Sequence, residues 1–226
     1  MKSSTEDASL GIAHASVVAD ERQLSERIAF IHDQTHSDAL VEEYIEGREI
    51  YVSILERPNG EPQVFPFFEI DFSDMPPDRP KIVSFEGKWV EDSVEYKGTR
   101  PIRCVGLSDQ LRDKIAATAR AAFETVGLRD YGRIDIRLSA DGTPYVIDVN
   151  PNCDLSDLAG GFSRAAKAAG LSYKEVILRL TTLALSRHQD ESAIPLAARP
   201  ERDDVAAEEE SLSARAGACQ GDARSA

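Results

Sequence analysis

The stretch YGRIDIRLSADGTPYVIDVNPNCD, residues 131–154, decides how this chain is read. Two alternating runs, 133–138 and 145–150, flank Asp141-Gly142. Asp-Gly between alternating apolar residues predicts a β-hairpin, because glycine accepts the positive φ that a type I′ turn requires. A two-residue turn there sets Leu138 opposite Tyr145, Ile136 opposite Ile147 and Ile134 opposite Val149. Successive strand side chains point to opposite faces, so the other face carries Asp135 opposite Asp148 and Arg133 opposite Asn150. Two carboxylates facing each other repel. A divalent cation between them reverses the sign, and Asp and Asn oxygens are the hard ligands that Mg²⁺ takes beside phosphate oxygens. The same pattern also fits a solvated polar face neutralised by nearby arginines.

Working outward, the chain has 226 residues, enough for one good core or one domain plus a tail. Its net charge of −14 argues against nonspecific binding to nucleic acid. No apolar run reaches the ~18 residues of a membrane span, and no signal-peptide pattern opens the chain. A cytoplasmic protein with no membrane partner is expected. Cys104, Cys153 and Cys219 are widely spaced and form no CxxC, which fits a reducing compartment better than a zinc site or a disulfide framework.

Residues 5–12 are a small-residue loop, TEDASLGI, of the kind that brings backbone N–H groups close to phosphates, and equally of the kind found on any surface. It is not a Walker A loop, since GxxxxGK[ST] is absent. Residues 20–32 read as a helix with Asp20 and Gln23 at capping-box spacing and Leu24, Ile28 and Ile31 on one face. Residues 40–49 and 50–55 read as two strands joined near Gly47, and their carboxylates fit solvated strand edges as well. Pro58-Asn59-Gly60 is a turn, residues 63–70 a strand, 71–81 a surface loop and 81–85 a short strand. Lys88 beside Trp89, the only tryptophan, is either a cation–π pair or a plain surface lysine. Residues 108–126 form an amphipathic helix, capped by Ser108 and stopped by Gly127, with Leu111, Ile115, Ala119, Ala122, Phe123 and Val126 as its stripe. Helices follow at 162–169 and 172–186, the second with a Ser172–Glu175 capping box and Val176, Ile177, Leu180, Leu183 and Ala184 buried. Residues 189–226 are acidic and alanine-rich, the composition of a disordered tail.

The order of these pieces resembles the ATP-grasp superfamily, in particular the C-terminal, ATP-binding part of D-alanine–D-alanine ligases. The motifs that carry the resemblance are EDASLGI at 6–12, VEEYIEGRE at 41–49, EGKW at 86–89, GRID at 132–135 and DVNPN at 148–152. It covers about residues 1–186. The fold implied is α+β, an antiparallel sheet with packed helices, filling residues 1–188 and N-terminally truncated.

Position by position, the resemblance implies the following roles. Lys2 looks like the lysine on the α-phosphate and adenine side of ATP. Glu6, Ser9, Leu10 and Gly11 belong to the lid over the phosphates. Glu42, Glu43, Tyr44 and Ile45 look like the hinge that hydrogen-bonds adenine, and Glu49 like the ribose-binding carboxylate. Lys88 looks like the loop lysine that reaches the terminal phosphates. Arg133 looks like the arginine that meets charge on an acyl phosphate and tetrahedral intermediate. Asp135, Asp148 and Asn150 look like the ligands of two Mg²⁺ ions, with Asp148 bridging. The reaction implied joins a small-molecule carboxylate to an amine at the expense of ATP. Phosphoryl transfer of this kind depends on positioning and charge neutralisation more than on a covalent nucleophile.

Two departures from the family pattern stand out. Cys153-Asp154 occupies the place of a Pro-Gly whose glycine backbone helps form an oxyanion hole. The family's N-terminal substrate domain and first ATP lysine have no counterpart ahead of Lys2, so that domain is expected upstream or in trans. A nucleotide-binding module without ligase turnover is therefore the competing expectation, and a plain structural domain with a polar hairpin face the third.

Overall fold

The computed structural model describes residues 1–193, with side chains described as far as Arg187. Met1–Leu183 forms one compact unit, and the chain from Ala184 falls in a second. In chain order the elements are β1 (Lys2–Ser3), α1 (Glu21–Thr35), β2 (Ala39–Leu40), β3 (Arg48–Glu56), β4 (Pro62–Val64) and β5 (Phe68–Asp71). Then come α2 (Phe85–Trp89), α3 (Val94–Lys97), β6 (Arg100–Arg103), α4 (Asp109–Thr125), β7 (Tyr131–Leu138), β8 (Pro144–Asn150), α5 (Gly161–Ala168) and α6 (Tyr173–Ala193). The main sheet is antiparallel, in the order β6-β5-β3-β7-β8 with β4 also on β3, while β1 and β2 pair separately.

The alternation along β3 and β7 separates the two faces of this sheet. Ile50, Val52 and Ile54 join Ile134, Ile136 and Leu138 in one buried cluster, which Ile115, Ala119 and Phe123 of α4 cover. Each of these side chains larger than alanine contributes roughly 1.5–3 kcal/mol on burial. The opposite face pairs Glu49 with Arg137, Tyr51 with Asp135 and Ser53 with Arg133. Apolar clusters border this polar strip at one end and along one side. Leu55, Phe65, Cys153, Phe162, Ala165, Ala166 and Val176 close the end beneath α5 and α6. Ile70, which pairs with Glu49, lies beside it with Phe72 and Met75, against Tyr51 and Val83.

The hairpin keeps its expected pairing at the functional end and loses it near the turn. Asp135 lies opposite Asp148 and Arg133 opposite Asn150, but Ile136 faces Val146 and Leu138 faces Pro144. The turn is one residue longer than a type I′ turn. Gly142 N–H donates to Ser139 O at 3.0 Å, Ser139 N–H donates to Thr143 O at 3.0 Å, and only Gly142 of the turn has positive φ, +79°. The Asp141 carboxylate accepts from Thr143 N–H at 3.0 Å, an arrangement that holds Asp141 out of the left-handed region. A register shift between Asp135 and Ile136 then absorbs the extra residue.

Elsewhere the structure corrects the expected elements. Of the strand expected over 40–49, only Leu40, in β2, and Arg48 and Glu49, at the start of β3, are strand, and among the described residues no strand pairs with 41–46. The strand expected over 63–70 breaks into β4 and β5 around Pro66, which has no N–H to give to a ladder. Residues 81–85 are not a strand. Ser84 instead caps α2, its hydroxyl accepting from Gly87 N–H at 3.1 Å. Strand β6 has no strand signal of its own in the sequence, and its pairing partner β5 supplies the order. Val126 is 56% exposed and Ile177 36%, so both lie off their helices' buried stripes. Helix α6 runs past Ser186 to Ala193, since no glycine or proline interrupts it before Pro195. The rest of the acidic, alanine-rich tail, from residue 194, and with it Cys219, lies outside the described residues. Cys104 and Cys153 are free thiols and buried.

Candidate active site

The hairpin strand β7 positions three charged side chains on one face, at every second residue. Arg133 grips Asp135 with two parallel bonds, Nε to Oδ1 at 2.7 Å and Nη2 to Oδ2 at 2.8 Å. Its guanidinium also sits 4.6 Å from the centre of the Tyr51 ring. From β8, Asn150 Nδ2 donates to Asp135 Oδ2 at 3.3 Å and to Asp148 Oδ2 at 3.0 Å. Asp148 Oδ1 accepts from Val149 N–H at 3.0 Å. The amide thus bridges the two facing carboxylates, and Arg133 supplies the compensating charge. Burial raises the Asp135 pKa, with Arg133 opposing and Asp148 adding to the rise. Burial works against the Arg133 charge, but Asp135 outweighs it and holds the guanidinium pKa above its ordinary value.

Lys88 reaches this patch from α2. Burial and the Arg133 charge lower its ammonium pKa, while Asp135, Asp7 and Asp148 act the other way. The residue is solvent-exposed, so water screens much of that field. Its Nζ stands 5.6 Å from the Trp89 ring centre, a cation–π geometry. The loop at residues 5–12 is tied to the same segment. Trp89 Nε1 donates to Ala8 O at 3.0 Å, Ser9 Oγ to Val83 O at 3.0 Å, and Phe85 N–H to Ile12 O at 2.8 Å. Ala8 and Ser9 both sit at positive φ, 53° and 64°, backbone strain that is characteristic of functional loops. Glu6 is exposed and so is Leu10, while the Gly11 carbonyl accepts from Arg27 Nη2 of α1.

Lys2 and Glu42 form an ion pair at 3.1 Å, and Lys2 Nζ also donates to Ile147 O at 2.8 Å on β8. The first strand is thereby joined to both the 41–46 segment and the hairpin. Glu43 and Tyr44 are exposed along that segment and Ile45 is half-buried. Gly47 closes it at φ +147°, where an added Cβ would lie 2.0 Å from Leu138 O, so only glycine fits. Arg48 alternates to the far face and pairs with Glu69 at 2.7 Å. Glu49 returns to the polar face, accepting from Tyr51 Oη at 3.0 Å and facing Arg137 at 3.6 Å.

Burial pushes the Glu49 carboxyl up to about 7, Asp135 adding to the rise and Arg137, Tyr51 and Arg133 opposing it. Between its ordinary value and about 7 the folded chain holds a proton that the unfolded chain has lost, so stability falls as pH rises through that window. We expect metal-free unfolding free energy to drop by about 2–3 kcal/mol from about pH 5 to about pH 8. The half-buried Asp71 and the exposed Asp141 and Glu175, all lowered by local hydrogen bonds, act only on the acid side of that range. Denaturant titrations at both pH values check this, and Glu49→Gln should flatten the slope.

The motif residues therefore gather in two groups on one side of the sheet, Lys2–Glu42 and Arg133–Asp135–Asp148–Asn150, with Glu49 and Lys88 beside the second. Among the described residues no three His, Cys, Asp or Glu side chains converge as a metal cluster, and the third donor beside the two carboxylates is the Asn150 amide. An all-oxygen donor set of two carboxylates and an amide fits a hard cation. Beyond the hairpin, Cys153 is buried with its thiol pushed up to about 12 by burial, and Asp154 accepts from Ser156 N–H at 2.7 Å. Arg137 escaped the motif reading, although it stands two residues beyond Asp135 on the same strand face. Strand alternation alone would have found it.

Comparison with known proteins bears on this arrangement. The family model described as D-ala D-ala ligase C-terminus matches residues 1–182. Uncharacterized protein y4sG of Sinorhizobium fredii is 34% identical over 184 residues, 81% of this chain and 51% of that protein. D-alanine–D-alanine ligase A of Salmonella typhimurium is 27% identical over 194 residues, 86% of this chain and 49% of the ligase. The crystal structure of D-alanine–D-alanine ligase from Bacillus anthracis complexed with ATP matches 77% of this chain and 50% of its own, with TM-score 0.59 at 21% identity. The ligase from Coxiella burnetii matches 77% of this chain and 42% of its own, with TM-score 0.60 at 22% identity. The chain spans about half the length of the curated relatives it matches.

Proposed function

Because the chain belongs to the D-alanine–D-alanine ligase C-terminal family and has the ATP-grasp fold, we propose that it forms the ATP- and Mg²⁺-binding part of a carbon–nitrogen ligase. The observation that carries this reading is the facing pair Asp135 and Asp148, bridged by Asn150 and gripped by Arg133. Two facing carboxylates repel each other, and a cation held between them reverses that repulsion.

In this reading Lys2, the 6–11 loop and the hinge residues Glu42, Glu43, Tyr44 and Ile45 receive the nucleotide, and Glu49 takes the sugar hydroxyls. Asp135, Asp148 and Asn150 hold the metal, whose charge offsets that of the phosphates when it is bound. Asn150 would turn its amide oxygen inward to do so. Lys88 and Arg133 then face the terminal phosphate. A substrate carboxylate oxygen attacks the γ-phosphorus, and ADP leaves, giving an acyl phosphate. An amine attacks the acyl carbon, loses a proton, and inorganic phosphate leaves. Arg133 meets the oxyanion that develops.

Asp154 favours a second reading, a nucleotide-binding module without turnover, because a carboxylate next to the acyl site opposes an oxyanion. Calorimetry with Mg-ATP tests what the two share. We expect saturable, Mg²⁺-dependent binding, and no binding would sink both. Release of ADP on adding amino acids then separates them, since only a ligase shows it.

A further inference from the structure

Arg137 plays no part in the roles above, yet at 3% exposure it is more enclosed than Glu49 or Asp135. Its nitrogens serve three separate segments. Nη1 donates to Gly47 O at 3.2 Å, Nη2 to Tyr44 Oη at 3.1 Å and to Lys81 O at 2.6 Å. Nη1 also lies 3.6 Å from Glu49 Oε2. The guanidinium faces the Tyr44 and Phe72 rings, at 5.3 and 6.0 Å from their centres. One side chain therefore joins the hinge, the start of β3 and the loop that leads to α2. A planar fork of fixed donors can hold partners in several directions at once, which a lysine cannot. Glu49 is fixed from both sides, one oxygen toward Arg137 and the other accepting from Tyr51.

We propose that Arg137 is a positioning residue that sets nucleotide specificity, holding Glu49 and the hinge at a fixed separation so that the site prefers a ribonucleotide to its 2′-deoxy form. The inference rests on the nucleotide site proposed above. Its physical basis is that a carboxylate discriminates a sugar hydroxyl only when it cannot swing away from it.

The test is calorimetric affinity for Mg-ATP and Mg-2′-deoxy-ATP. The wild type should favour ATP by about tenfold or more, the value of one hydrogen bond to a charged group. Arg137→Lys keeps the charge but loses the fork, and should cut that preference at least about fivefold. Glu49→Gln should cut it as far, and adding Arg137→Lys to Glu49→Gln should change the ratio no further. Equal weakening toward both nucleotides in Arg137→Lys, with the ratio kept, would overturn the proposal. So would a wild type that binds the two alike. A wild type that binds no Mg-ATP defeats the nucleotide site itself, before any variant is compared. If Arg137→Lys does not fold, Tyr44→Phe removes one of the two bonds between the guanidinium and residues 44–47, the one from Nη2 to the exposed Tyr44 side chain, and should lower the ratio by a smaller factor. An unchanged ratio in that variant would also overturn the proposal.

Discussion

Arg133→Met is expected to destabilise the metal-free protein by about 3–5 kcal/mol, the loss that follows when one partner of a buried ion pair is removed. Asp135 is 6% exposed, and both its oxygens accept from Arg133. Without the guanidinium, the nearest compensation is the Asn150 amide at 3.3 Å, a neutral donor. The carboxylate must then remain charged in a poorly solvating place or take up a proton, and either costs stability at neutral pH. The size of the loss separates this explanation from simple loss of packing. Arg133→Met with Asp135→Asn removes both charges and should recover at least about 2 kcal/mol of the deficit, as apolar or neutral replacements of buried pairs commonly do. Denaturant unfolding of the wild type, both single variants and the double variant completes the cycle. A double variant no more stable than Arg133→Met would show that Arg133 acts through its contact with Tyr51 and not through Asp135.

Asp148→Asn is the second large effect, and it acts in the opposite way on stability and on binding. Asp148 is exposed and faces Asp135 across the hairpin, so replacing its charge removes a repulsion and should leave the metal-free melting temperature unchanged or higher. Mg-ATP affinity should fall by about 100-fold or more, as expected when a carboxylate that holds the metal becomes a neutral amide. Melting curves with and without Mg-ATP, together with calorimetry, measure both quantities. A variant that melts like the wild type and still gains stability from Mg-ATP would remove Asp148 from the metal site. If neither protein responds to Mg-ATP, the polar hairpin face is structural.

Much of the site was legible because its residues lie close in sequence and are ordered by strand alternation. Arg133, Asp135, Asp148 and Asn150 face one another whichever turn joins the strands, provided the pairing sum is kept at that end. The turn is longer than the Asp-Gly signal implies, and the register shift beside Asp135 restores the expected pairing. The reason is local chemistry. Asp141 uses its carboxylate to hold Thr143 N–H, which favours a longer turn than Asp-Gly alone indicates. Residues 41–46 fail to form a strand for a related reason. They have strand-like character, but pairing needs a neighbour, and among the described residues no strand borders them. Lys81, by contrast, offers a backbone carbonyl to Arg137 from 56 residues away, a contact no spacing rule anticipates.

By itself the sequence determined the hairpin's charged face, the capped helices and the order of motifs that identifies the family, since each follows from periodicity or from chemistry within a few residues. Only the tertiary structure decided what those charges meet. It brought Lys2 to Glu42, Ala8 to Trp89, and Arg137 to Tyr44, Gly47, Glu49 and Lys81 at once. Those contacts arise from packing between segments far apart in the chain, where burial and electrostatics are settled by which surfaces come together.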